Sequence, residues 1–200
     1  MSQSAYNEQE IIAELEANGL NKRRRRELLL KLQRVGTEQS ICVLRSNLRS
    51  ADVKTQVRTV FALAHIGTEE AIDALVDSLA ETSGPGFTFT VKSLVDAGVT
   101  RARPVFIRTL ADRHDELGQG DKQIVVWALY QDPHRSEVPV LAGMLGERSR
   151  STRRMAAVAL ARIKATEARE ALEDAARSLP WLRGLQARRA LRSLRYVSGE

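Results

Sequence analysis

The chain has 200 residues, 43% hydrophobic and 4% aromatic, with 31 Lys and Arg against 25 Asp and Glu and one cysteine. A single cysteine excludes an internal disulfide, and the longest apolar runs, Ile124–Tyr130 and Met155–Ala161, are far too short to span a bilayer. Abundant aliphatic residues with few aromatics suit closely packed helices joined by short turns, and the start of the chain carries no basic segment followed by an apolar one, so a cytoplasmic protein is expected.

In chain order, residues 1–20 read as an N-terminal cap. Glu8 to Ala17 forms an acidic amphipathic helix with Ile11, Ile12 and Leu15 inward, stopped by Asn18-Gly19. One pattern then returns five times: an apolar helix face ending in Leu, a turn residue four positions later, and a second apolar helix face. Leu32, Leu63, Leu94, Leu129 and Leu160 precede Gly36, Gly67, Gly98, Pro133 and Lys164, with turns spaced by 31, 31, 35 and 31 residues. Eight positions after each turn stand Leu44, Leu75, Phe106, Leu141 and Leu172; four further on stand Leu48, Leu79, Leu110, Leu145 and Ala176. These offsets share one stripe of a helix.

The repeats therefore occupy 21–50, 51–82, 83–114, 115–147 and 148–179. In the third, Ser83-Gly84-Pro85-Gly86 reads as a flexible turn, and Phe87-Thr88-Phe89-Thr90 weakens the start of its first helix. The fourth holds a four-residue insertion within 113–120, read as tolerated loop length. Residues 180–200 close the array, with a helix from Trp181 to about Tyr196. Neither helix of a unit can bury its stripe alone, so the prediction is one domain over 1–200, an all-α solenoid in which neighbours complete each other's core.

The stretch Val57–Val76 resembles a HEAT repeat of the short bacterial, phycobilisome-lyase type, and Thr152–Ile163 resembles that repeat's first helix. The resemblance, over roughly 21–196, implies a right-handed α-α superhelix of about five hairpins. It also implies a bracing Arg seven residues before the repeat Leu. Here that position reads Arg25, Gln56, Phe87, Lys122 and Arg153, so the ladder is interrupted in the middle.

Charge is segregated along the chain. Residues 21–50 carry nine basic and two acidic groups, 51–81 two and six, and 147–200 thirteen and six. Lys22 to Arg26 opens a helix, where the dipole disfavours cations. An acidic partner, phosphate, or the Glu-rich cap helix could each account for it, with Arg23, Arg24 and Arg26 as candidate anion ligands. A second basic region comprises Arg148, Arg150, Arg153 and Arg154 together with Arg188, Arg192 and Arg195, which follow i, i+4, i+7 as an exposed row beside Leu185, Leu191 and Leu194. Along the second helices, Arg45 and Arg49, then Asp73 and Asp77, then Arg101 and Arg108, alternate in sign and could set register on a partner.

No zincin, Cys-x-x-Cys, phosphate-loop or Gly-x-Ser-x-Gly motif occurs, and His65, His114 and His134 lack metal-ligand spacing. The expectation is no enzyme, no metal and no cofactor. Cys42 is expected to be partly buried, Trp127 to lie in the core and Trp181 to be partly exposed. Three functions are compatible: an adaptor binding a partner protein along the ridge of second helices; nucleic-acid binding through the basic ends, as in HEAT-like alkylpurine DNA glycosylases; and a bilin lyase subunit, implied by the repeat type alone.

Overall fold

A computed structural model of the chain describes residues 8–17, 19–98 and 100–198, with backbone alone for residue 100 and for 195–198. The described residues are all-α, without strands. The chain divides into two compact units, Met1–Ala102 and Arg103–Glu200, the boundary falling inside the third repeat.

In the first unit, α1 (Glu8–Glu16) precedes the hairpin α2 (Lys22–Val35) and α3 (Ile41–Asn47), the hairpin α4 (Val53–Ile66) and α5 (Glu69–Ser78), and α6 (Gly84–Asp96). The starts of α2, α4 and α5 are set by side-chain caps. Asn21 accepts from the Arg24 amide at 2.8 Å, Asp52 from that of Thr55 at 2.9 Å, and Thr68 from that of Ala71 at 3.4 Å. Gly67, at φ 65°, ends α4 in the left-handed conformation and returns its amide to the Leu63 carbonyl at 3.0 Å. Gly36 ends α2 with φ −63° and needs no left-handed backbone.

α2 packs on α4, α4 on α6, and α3 on α5, so first helices stack on first helices and second on second. Leu32, Leu63 and Leu94 are fully enclosed at that contact, as are Leu44 and Leu75 between the second helices. Burying each such side chain stabilises the stack by roughly 1.5–3 kcal/mol. Ile11 and Leu15 of α1 are likewise buried. Asn18, named above in the stop signal, lies outside the described residues.

The second unit contains α7 (Arg103–Asp112), α8 (Gln119–Gln131), α9 (Val138–Gly143), α10 (Arg150–Arg162), α11 (Thr166–Ser178) and α12 (Trp181–Ser198). His134 and Glu137 form a capping box before α9. α10 packs against α8 and α12, and α11 against α9 and α12. Leu129, Leu141, Leu160 and Leu172 hold the expected buried positions.

Several local expectations change. Gly84 to Gly86 are not a flexible turn: α6 starts at Gly84 with Pro85 in its first turn, where a missing amide hydrogen costs nothing, and Phe87 is fully buried. The inserted loop of the fourth repeat is anchored, because Leu117 is buried and the His114 ring Nε2 lies 2.7 Å from Glu147. In α12 the buried face is Gly184, Gln186, Ala187 and Ala190, whereas Leu185, Leu191 and Leu194 are half-buried. Small residues win because α12 sits close on α11, where a Cβ at position 184 would come 3.1 Å from the Ala175 carbonyl oxygen. Cys42 is exposed and Trp127 half-buried; both sit beside the inward stripe of their helices.

Candidate functional site

The alternating charges of the second helices meet one another across hairpins. Arg45 reaches Asp77 at 3.4 Å, Arg49 reaches Glu81 at 2.6 Å, and Arg101 reaches Glu69 at 2.7 Å and Asp73 at 3.5 Å. Three of these four contacts join residues 32 apart, one repeat period plus one. The sign alternation is thus matched internally, as rungs between neighbouring helices, while every one of these side chains stays substantially exposed. Arg108 is exposed and makes no ion pair among the described residues.

The basic ends are engaged differently. Arg24 grips Glu14 of α1 with its Nη2 at 2.8 Å from Oε2, Arg23 pairs with Glu27 at 3.2 Å, and Arg26 Nε donates to Asp52 at 2.8 Å. Hydrogen bonds from Arg26 and Thr55 hold the Asp52 carboxyl well below the usual carboxylate range, and the bond from Arg24 likewise lowers Glu14. Of the three accounts open for this cluster, pairing with the Glu-rich cap is what Arg24 makes. Arg188 donates to the carbonyls of Ala176 at 2.5 Å and Trp181 at 2.9 Å, so it staples α11 to α12 and does not stand in an exposed row. Arg192 is exposed. The side chain of Arg195 lies outside the described residues.

At the bracing position that the resemblance implies, Arg25 donates to Asn47 Oδ1 at 2.9 Å, and Arg153 donates to the carbonyls of Glu147 and Arg148 at 2.6 and 2.8 Å. Lys122, at the same register, is buried with its Nζ 3.0 Å from Glu147 Oε1. Burial pushes Glu147 up, but hydrogen bonds from Gln119 and Lys122 outweigh it and hold its pKa at about 2. Glu137, fully enclosed beside Arg103 at 2.6 Å, is instead raised, because desolvation there exceeds what the His134 amide and Arg103 return.

A third surface joins Arg150 and Arg154 of the second basic region to Arg189, which the sequence reading passed over. α10 and α12 form the walls of a groove of about 720 Å³ carrying Arg150, Arg154 and Arg189 over a floor of Ala157, Val158 and Ala190. No ion pair neutralises these three arginines among the described residues. Arg154 belongs to the fifth repeat and Arg189 to the closing helix, so no local spacing in the sequence links them.

Among the described residues no group of three or more His, Cys, Asp or Glu could hold a metal ion, and no helix is long and apolar enough to cross a membrane. Residues 55–81 match the PBS lyase HEAT-like repeat family. No curated protein sequence matches the chain. Among solved structures, human deoxyhypusine hydroxylase in complex with glycerol is 16% identical, with 94% of this chain and 84% of that chain covered at a TM-score of 0.50. A designed armadillo repeat protein is also 16% identical, covering 94% of this chain and 100% of that one, with a TM-score of 0.47.

These comparisons correct the expectation of no enzyme. The hydroxylase is an enzyme by name, so helical hairpins of this kind do carry catalysis, and missing motifs are no argument against it. Motifs of the types sought mark other folds, and sites are grafted onto a fold independently.

Proposed function

Because this chain is a HEAT-repeat protein, we propose that it serves as a scaffold binding a partner protein along the ridge of its second helices. The observation that carries this reading is the exposed set of rungs Arg45–Asp77, Arg49–Glu81 and Arg101–Asp73. An exposed ion pair contributes only about 0–1 kcal/mol, so each rung can exchange its internal partner for a complementary charge at little cost, while the packed leucines beneath keep the helices in place. Such a surface offers charges at fixed spacing with small reorganisation, which favours register-specific docking.

Affinity capture from native lysate, followed by reconstitution with the purified captured protein, tests the proposal. The Arg101→Glu and Arg108→Glu variants are expected to lose the partner that wild type retains at moderate salt. Retention of the same partner at the same affinity by both variants would exclude the ridge.

A further inference from the structure

The groove between α10 and α12 stands apart from the ridge, and its chemistry is of another kind. Three cations face it. Arg150, Arg154 and Arg189 are exposed, line the groove together, and have no carboxylate partner among the described residues. Several other arginines of the same unit are engaged, Arg103 by Asp132 and Glu137, Arg135 by Glu167, Arg169 by Glu173, and Arg177 by Asp174, whereas the groove gathers three that are not. Like charges gathered without counter-ions repel one another, and an anionic occupant relieves that repulsion.

Two further features distinguish among anions. Between the arginines the floor is apolar, with Ala157 and Ala190 buried and Val158 36% exposed. Small floor residues let an occupant approach closely, and Val158 supplies apolar area that a phosphodiester backbone cannot use. Gln186 also lines the groove; it is only 6% exposed, and its side chain makes no hydrogen bond among the described residues. A primary amide presents one acceptor and two donors, the complement of a peptide unit. Its amide is not sealed off from the groove, so a bound peptide group can take the place of water on it.

We infer that the α10–α12 groove binds an acidic, partly apolar peptide segment of a partner protein, with its carboxylates on Arg150, Arg154 and Arg189 and its backbone on Gln186. Arginine forks suit carboxylates bidentately, and the Val158 floor takes an aliphatic side chain between them. This site goes beyond the ridge and stands or falls separately from it.

The test uses the full chain and a short fluorescein-labelled peptide of alternating Glu and Leu, with a Gln/Leu peptide of the same length and a short DNA duplex as the other arms, read by anisotropy. The Glu/Leu peptide is expected to bind more tightly than either alternative. Arg154→Glu with Arg189→Glu should weaken it by about tenfold or more, the loss of at least one good ion pair. Gln186→Ala should weaken it without altering its salt dependence, and the ridge variant Arg101→Glu should leave it unchanged. If the double reversal unfolds the chain, Arg154→Gln with Arg189→Gln removes the charge without adding repulsion, and the same weakening is expected. Equal binding of the Gln/Leu peptide, tighter binding of the duplex, or unchanged affinity in a folded charge-removed variant would each overturn the inference.

Discussion

Lys122 Nζ lies 3.0 Å from Glu147 Oε1, and the two side chains are only 7% and 8% exposed. The pair ties the first helix of the fourth repeat to the segment entering the fifth, with Gln119 adding a bond to the other carboxylate oxygen at 2.9 Å. Removing Lys122 leaves the Glu147 carboxylate with Gln119 and the His114 ring but without its buried cation. Lys122→Ala is expected to destabilise the chain by about 3–5 kcal/mol, measured by urea titration. A cost below about 1 kcal/mol, typical of an exposed pair, would show that water reaches the site.

The same carboxylate sets a pH dependence. Glu147 is held at about 2 against an ordinary value of 4.5. Its contribution is therefore complete above pH 4.5 and lost as pH falls towards 2, since the unfolded chain binds the proton first. Thermal melts of wild type should fall steeply across that window. Glu147→Gln should be less stable near neutrality and show a shallower decline between pH 4.5 and 2.

Leu63 and Leu160 anchor the two units, one in each, and are essentially inaccessible to solvent. Leu63→Ala or Leu160→Ala should cost about 2–5 kcal/mol through lost burial and a residual cavity. Circular dichroism on heating reads the effect, and an unchanged melting temperature would remove these residues from the core.

The ridge should behave in the opposite way. Arg45→Ala removes a 3.4 Å contact to Asp77 between side chains more than half exposed, so stability should change by no more than about 1 kcal/mol. A larger loss in a chemical denaturation curve would mean that the rungs hold the stack together and are not available for exchange with a partner.

What could be read in the sequence follows from how each contact is encoded. The repeat leucines recur at nearly constant spacing, so the sequence itself marks Leu32, Leu63 and Leu94 as the contact between first helices. The rungs are half legible: Arg45, Arg49 and Asp77 stand out by sign, but the pairs Arg45–Asp77 and Arg49–Glu81 need the offset of one period plus one, which only stacking reveals. The pairing of Arg154 with Arg189 left no local signal, because it depends on how α12 is seated. That seating rests on Gly184, which lets α12 close on α11, and on buried Ala187 and Ala190, small residues that carry little weight in an apolar pattern dominated by leucine.

The small-residue face of α12 separates two tasks that usually compete for the same side chains. Seating depends on Gly184, Ala187 and Ala190 and on the two carbonyls held by Arg188, while Arg183, Arg189 and Arg192 face outward. Outward positions can therefore be rewritten without repacking anything beneath them. A library varying the exposed residues of this one helix on an unchanged glycine–alanine seat would sample new specificities at constant fold stability, making α12 an exchangeable wall on a fixed frame.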